Sequence, residues 1–472
     1  MVAELIWMGA YELSDLIRRK EVSPVEVVDA VLARLEEVNH AINAFVTVTA
    51  ESAREQAKQA EAAVFRGGDL PPLHGLPITV KDLIDTAGVR TTYGCVRFTD
   101  HVPDTDAISW ARLKAAGAIL IGKTTTPEFG MLGVTDSYLT GSTGTPWNPA
   151  HTAGGSSGGA AAAVAAGIAP LAWGSDGGGS IRVPAASCGV VGFKVSSGRI
   201  PSRGSQDGDS TDGPLTRRVI DTAMLLDATV GPHHQDRFSL PATGENYVEA
   251  ALRGVDLAGL RFAYSIGLDQ GPVDPETRGV VDAAMSRLSA AGGAVVDTVS
   301  MDLPDAIDNF LTYWSPEFSD HLHMIFPPGT EAWPAMKEIA EFGRTLSAAD
   351  VSRSLRQTKT QIYDGFDRVL QEYDFIVTAT TPTPPFPHNA PGGAEIVDGE
   401  RVRYPALFFH RLTELPSHAG LPAVSIPCGF TSDGLPVGLQ IIGGPHADAA
   451  VIEVAAALER LSPWHDRRPE LP

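Results

Sequence analysis

APLAWGSDGGGSIRVPAASCGVVGFK, residues 169–194, opens as a short apolar run that stops at Asp176, and three glycines and Ser180 follow at once. The run reads as a strand ending in a glycine-rich turn. Two earlier runs repeat the pattern, LPITVKDLI at 76–84 and GAILIGKT at 117–124, with helical stretches between them. That βα alternation implies an α/β fold, a sheet with helices on its faces.

The reading extends in both directions. Toward the N-terminus, ELSDLIRRKEVSPVEVVDAVLARLEEVNHAINAF has apolar positions recurring at three and four residues, so residues 1–70 read as a helical segment, with Ser23-Pro24 as a cap and first turn. Toward the C-terminus, GLRFAYSIGL is a strand, ETRGVVDAAMSRLSAAG an amphipathic helix and AVVDTVSM a strand. Residues 304–373 turn helical and aromatic, with Phe310, Tyr313, Trp314, Phe318, Phe326 and Trp333, before YDFIVTATTPTPPFP returns to a strand. LPAVSIPCGF and GLPVGLQIIGG read as two strands joined by a turn, with a helix to Leu461 after them. No repeat and no long linker divides the chain, so a single domain is expected over 1–472.

With 43% apolar and 20% charged residues among 472, the composition is that of a globular protein and excludes a disordered or collagen-like chain. The opening MVAELIWMGAYELSDLIRRK lacks the basic-then-apolar order of a signal peptide, and no segment supplies the roughly 18 apolar residues of a spanning helix. A cytoplasmic location without membrane contact is the expectation. Cys95, Cys188 and Cys428 are far apart and in no CxxC pairing, which argues against a disulfide framework or zinc site, and no metal or cofactor is expected. Lys and Arg total 36 against 57 Asp and Glu, a net charge of −21. Such a field repels phosphate backbones, so nucleic acid is a poor partner, while neutral or cationic small molecules are mildly favoured.

Three stretches carry chemistry. In AGGSSGGAAAAVAAG, residues 153–167, the phosphate-binding patterns fail: Ser156 stands where GxGxxG needs its second glycine, and Ala160 stands where a P-loop needs lysine. A tight turn with close helix packing would explain this stretch taken alone. In GSDGGGSIRVPAASCGVVGFK, Ser180 follows three glycines, where several backbone N–H groups can converge on one point, as an oxyanion requires. A serine hydroxyl needs a base to become a nucleophile. Neither stretch contains a histidine, and the nearest, His151, leads into no GxSxG elbow. In HGLPITVKDLIDTAG, Lys81, one of eight lysines, ends a strand-like apolar run, where burial would lower its pKa toward a proton-accepting form. Snorkelling of its ammonium to solvent is the alternative.

Together, HGLPITVKD, AGGSSGG and GSDGGGSIRVPAASCGVVGFK resemble the amidase signature family of serine hydrolases. LKAAGAILIGKTTTPEFG, GPLTRRVIDTAMLLDATVG, GLPAVSIPCGF and GLPVGLQIIGG extend the likeness to nearly the whole chain outside 304–400. The resemblance implies a large mixed sheet covered by helices on both faces, with a signature core at 71–235 and a variable helical insert at 304–400 near the pocket. It also implies a Ser-cisSer-Lys triad: Ser180 as nucleophile, Ser156 as bridging serine on a cis Gly155–Ser156 peptide, and Lys81 as base. Backbone N–H groups of Gly177, Gly178, Gly179 and Ser180 would form the oxyanion hole, and Asp176 and Arg182 would brace the loop. Ser157 is expected to be a hydrogen-bonding loop residue.

The chain also departs from the family pattern. Gly177 stands where Thr or Ile is common, which predicts a looser loop and a wider pocket. Thr125 and Thr145 replace asparagines, and ELPSHAGLPA replaces an asparagine-containing turn. The insert and the loop SRGSQDGDSTDG after Pro201 are the expected determinants of substrate choice, and the resemblance places His410 and His418 near the pocket wall. The insert's aromatic residues form either a pocket mouth or packing against the core. Two functions fit: a monomeric or homodimeric hydrolase of small neutral amides, anilides or carbamates, with esterase side activity, or a glutaminase-type subunit of a tRNA-dependent amidotransferase.

Overall fold

Ser23 opens the first long helix, Pro24–Ile42, by a reciprocal cap: its Oγ accepts from the Val25 N–H at 2.9 Å, and its own N–H donates to Glu26 Oε2 at 2.8 Å. Residues 2–203, 210–325, 332–388 and 393–471 are described by the computed structural model. Residues 204–209 of the loop after Pro201, and Phe326, lie outside the described residues.

Eleven strands form one sheet. In chain order they are β1 (Phe45–Val48), β2 (Pro77–Lys81), β3 (Ile119–Thr124), β4 (Leu171–Asp176), β5 (Val191–Lys194), β6 (Thr211–Thr216), β7 (Arg261–Tyr264), β8 (Val295–Thr298), β9 (Phe375–Ala379), β10 (Ala423–Phe430) and β11 (Pro436–Ile442). Across the sheet the order is β1-β3-β2-β4-β6-β5-β10-β11-β9-β7-β8. The sheet is mixed: β3, β2 and β4 run parallel, as do β9, β7 and β8, and the strands between pair antiparallel. β1 is a departure from the helical reading of residues 1–70. FVTV follows the helix end at Asn43, whose φ of 51° turns the chain, and pairs antiparallel with β3.

Both faces of the sheet are buried along its central strands, and successive strand residues divide between them. Ile78, Val80, Leu120, Leu171 and Trp173 join one core with the helices Ile108–Ala115, Val219–Thr229 and Asp448–Leu461. Ile119, Ile121 and Ala172 face the other way, against Pro24–Ile42, Gly158–Ala165 and Arg182–Cys188. The alanine run makes Gly158–Ala165 a slim, wholly buried helix. The insert supplies Ala306–Ile325, Pro334–Gly343, Ala348–Arg353 and Lys359–Leu370; the first two build a further core with Met131 and Leu132, while Lys359–Leu370 packs through Ile362, Phe366 and Val369 against Ala263, Ile376 and Leu415. No helix among the described residues is long and apolar enough to cross a membrane.

This topology positions the site. Lys81 is the last residue of β2 and Asp176 the last of β4, and these strands are parallel neighbours. Their carboxyl ends therefore open at the same edge, where loops of an α/β sheet gather ligands.

Candidate active site

Lys81 is wholly buried at the end of an equally buried strand, so its ammonium does not snorkel to solvent. Its Nζ donates to Ser156 Oγ at 2.6 Å and to Ser175 Oγ at 3.0 Å. Removal from water lowers its pKa from 10.5 to about 7, although the negative charges of Asp176 and Asp212 oppose the shift. Asp212 stands opposite Ser175 in the β4–β6 register and accepts from Ser109 Oγ at 2.5 Å. Desolvation raises its carboxyl to about 6.

Ser156 follows a cis Gly155–Ser156 peptide and stands next to Ser157, the residue that immediately precedes the Gly158–Ala165 helix. Gly155 must lack a side chain, because a β-carbon there would lie 2.6 Å from the backbone of Val134. Ser157 is a brace: its N–H donates to the Ser180 carbonyl at 3.1 Å and its Oγ to the Ser175 carbonyl at 3.2 Å. These bonds tie the two serine-bearing loops together. Ser156, Ser175 and Ser180 line one cavity with Gly177 and Gly178.

The turn 177–180 is held from below. Asp176 accepts from the N–H groups of Gly179 at 2.7 Å and Ile181 at 3.2 Å, and from Arg182 Nε and Nη2, each at 2.9 Å. Burial pushes the Asp176 carboxyl up, but the Arg182 guanidinium outweighs it and holds the carboxyl below its ordinary value. Arg182 also donates to Gln440 Oε1 at 2.6 Å, the Thr413 carbonyl at 2.9 Å and Ser417 Oγ at 2.6 Å. Thus the chain's C-terminal strands and the helix Arg411–His418 anchor the glycine turn. The Gly179 N–H is committed to Asp176, and Gly179 is not among the residues lining the cavity.

The cavity wall is largely apolar, with Leu83, Met131, Leu132, Phe310, Trp314 and Phe318. The insert's aromatic residues therefore divide. Phe310, Trp314 and Phe318 line the cavity, Tyr313 packs on His418 with ring centroids 4.5 Å apart, and Trp333 packs on Tyr138 at 4.9 Å. His410 lines the cavity, whereas His418 stands behind it with Nε2 2.8 Å from Glu414 Oε1. His151 lies in the strand Asn148–Thr152, bridged to Pro387, and is not among the lining residues.

One expectation from the departures changes here. The space left by Gly177 does not widen the pocket, because the Trp314 ring fills it. Thr125 and Thr145 serve packing: Thr125 Oγ1 meets Thr143 Oγ1 at 2.7 Å, and Thr145 Oγ1 donates to the Ser187 carbonyl at 2.8 Å. Ser175 and Glu414 are not singled out by the sequence reading. Alternation alone gives Ser175 the face of Val80 and Trp173 rather than that of Lys81, so its bond to Nζ is set where the two strands end. Glu414 carries no signal either.

Comparison with known proteins gives concordant results. A family profile described as Amidase matches residues 26–452. An acylamidase of Rhodococcus erythropolis is 36% identical over 472 residues, covering 98% of each chain. A component of the glutamyl-tRNA(Gln) amidotransferase of Moorella thermoacetica is 36% identical over 499 residues, covering 99% of each. Among solved structures, a bacterial aryl acylamidase described as belonging to the amidase signature enzymes superposes with a TM-score of 0.89 at 28% identity, over 98% of this chain and 97% of that one.

Proposed function

The chain belongs to the amidase signature family, and on that premise we propose that it is a free-standing hydrolase of small neutral amides, anilides or carbamates. The observation that carries the reading is the 2.6 Å contact between a wholly buried lysine and Ser156. A lysine with a pKa of about 7 is substantially neutral at physiological pH and can take a proton.

In this mechanism Ser180 Oγ attacks the substrate carbonyl. Its proton passes to Ser156, which gives its own to neutral Lys81. The new oxyanion is stabilised by N–H groups of the 177–180 turn. Gly177, Gly178 and Ser180 are its donors, since Gly179 serves Asp176. The Lys81 proton then returns through Ser156 to the leaving nitrogen, so the C–N bond breaks with release of a neutral amine. Water attacks the acyl-enzyme by the same relay, and the acid departs. A carbamate presents the same carbonyl, with nitrogen or oxygen leaving. Ser175, the second acceptor on Nζ, orients the lysine.

The glutaminase-type reading is disfavoured by charge. Glutamine carries an α-carboxylate, yet no Lys or Arg is present among the described residues lining the cavity, and Glu317 and Glu414 are both there. A carboxylate entering this space would lose water without gaining a cation. The test is a panel of an anilide, a primary amide, an aryl carbamate and glutamine, run on the purified chain without partners. Turnover of the first three classes with negligible ammonia from glutamine is expected. Glutamine turnover alone would reverse the assignment.

A further inference from the structure

The stretch ELPSHAGLPA, residues 414–423, puts a carboxylate where the cavity meets the glycine turn. Glu414 lies on the helix Arg411–His418 and is buried, with 1% of its surface exposed. Its Oε1 accepts from Trp314 Nε1 at 3.0 Å and faces His418 Nε2 at 2.8 Å. A carboxylate oxygen only accepts, so that His418 nitrogen carries the proton. The two bonds fix the carboxylate in place.

Its other oxygen is different. Glu414 Oε2 is buried and has no hydrogen-bond partner among the described residues. It abuts Gly178 so closely that a β-carbon on that glycine would lie 2.0 Å away. Glu414 lines the same cavity as Ser156, Ser180 and the rings of Phe310, Trp314 and Phe318. A buried acceptor without a donor is costly, and proteins rarely keep one that nothing satisfies. Here the missing donor can come from what enters the cavity, water before substrate binds and an N–H or O–H of the substrate once bound, or from a shift of the loop. The first is the economical solution, since both neighbouring elements are pinned by Asp176 and Arg182.

We propose that Glu414 is a specificity residue whose free oxygen accepts a hydrogen bond from an N–H or O–H group carried on the apolar body of the substrate. This inference rests on the amidase reading and narrows it: the preferred substrate is an aryl or alkyl amide with a hydroxyl or amino substituent, rather than a purely hydrocarbon one. A site with a buried polar group left unpaired discriminates strongly against an analogue lacking the matching donor.

The test compares substrates matched in size, hydroxymethyl against ethyl, at the meta and para positions of a ring. One series carries the substituent on the acyl part and the other on the amine part. Wild-type kcat/KM is expected to favour the hydroxymethyl member by about 10-fold or more in one series, which also identifies the side that Glu414 reads. In Glu414→Gln and Glu414→Met, checked for folding by thermal melting, that preference should contract, furthest in the methionine variant. Wild-type enzyme that cleaves both members of every pair equally overturns the proposal while leaving the amidase reading standing. A preference that persists unchanged in a folded Glu414→Met or Glu414→Gln also overturns it. Failure to cleave any amide removes both.

Discussion

Gly177 presents its bare Cα to the indole of Trp314, with room for a β-carbon only 3.1 Å from Cη2. The insert thus closes on the glycine turn at Gly177. Gly177→Ala asks the ring to yield a few tenths of an ångström and should be tolerated. Gly177→Thr must displace the indole and with it the 3.0 Å bond to Glu414. For an aryl substrate KM should rise by about 10-fold, the order expected of a misfitted methyl or methylene group in a pocket. An unchanged KM in steady-state kinetics would mean that Trp314 does not shape the binding space.

Ser180→Ala is expected to abolish both turnover and labelling by a fluorophosphonate, since Ser180 is the nucleophile of the proposed covalent step. Ser156→Ala should lose amide hydrolysis by about 10²–10⁴-fold, the contribution of a positioned proton donor, while ester cleavage falls less because an alkoxide leaves more readily than an amide anion. Equal losses on a matched amide and ester would remove the relay through Ser156.

Arg182 holds Asp176, Gln440, Ser417 and the Thr413 carbonyl at once, all without access to water. Arg182→Met leaves Asp176 buried and unpaired, which costs about 3–5 kcal/mol. Arg182→Lys should recover little, because an ammonium cannot span the two carboxylate oxygens and three further acceptors. Denaturant titration reads both. The Asp176 carboxyl lies below its ordinary value in the fold, so the stability it contributes is present above about pH 4 and is lost as pH falls through its folded pKa.

The three signature stretches were legible because their chemistry is local. Glycines, serines and a strand-end lysine keep their meaning wherever the sheet places them, and βα alternation brought Lys81 and the Ser180 turn to one edge. What stayed hidden depended on distant packing. Glu414 and His418 are one helical turn apart, a spacing visible in the sequence, yet only the docking of Arg411–His418 on the 177–180 turn gives Glu414 a cavity to line. Trp314 reads as generic aromatic core until Gly177 is seen beneath it. Phe45–Val48 is too short to display alternation and becomes a strand because β3 offers it an edge. The pocket is thus written in pairs of residues far apart in sequence, while the proposed triad is written in motifs.

In the proposed mechanism Lys81 sets the pH dependence of the rate, and its buried amine moves stability in the same direction. Only the neutral amine accepts a proton, so kcat/KM should rise through a pKa of about 7 and stay high above it. For stability, the unfolded chain keeps Lys81 protonated up to its ordinary pKa near 10.5, whereas the fold releases that proton at about 7. Between those values the unfolded state holds one more proton, so stability rises with pH across that window. Below pH 7 the fold bears the whole penalty, about 4–5 kcal/mol at roughly 1.36 kcal/mol per unit, and above about pH 10.5 none of it. Lys81→Met removes the penalty but also the bonds to Ser156 and Ser175, at about 0.5–1.5 kcal/mol each. The inactive variant should therefore be more stable than the wild type by about 1–4 kcal/mol at neutral pH, and the advantage should disappear or reverse toward pH 10.5. Parallel denaturant titrations at pH 6.5, 8 and 10 would test it, since a difference that does not change with pH means that Lys81 is not the group being neutralised.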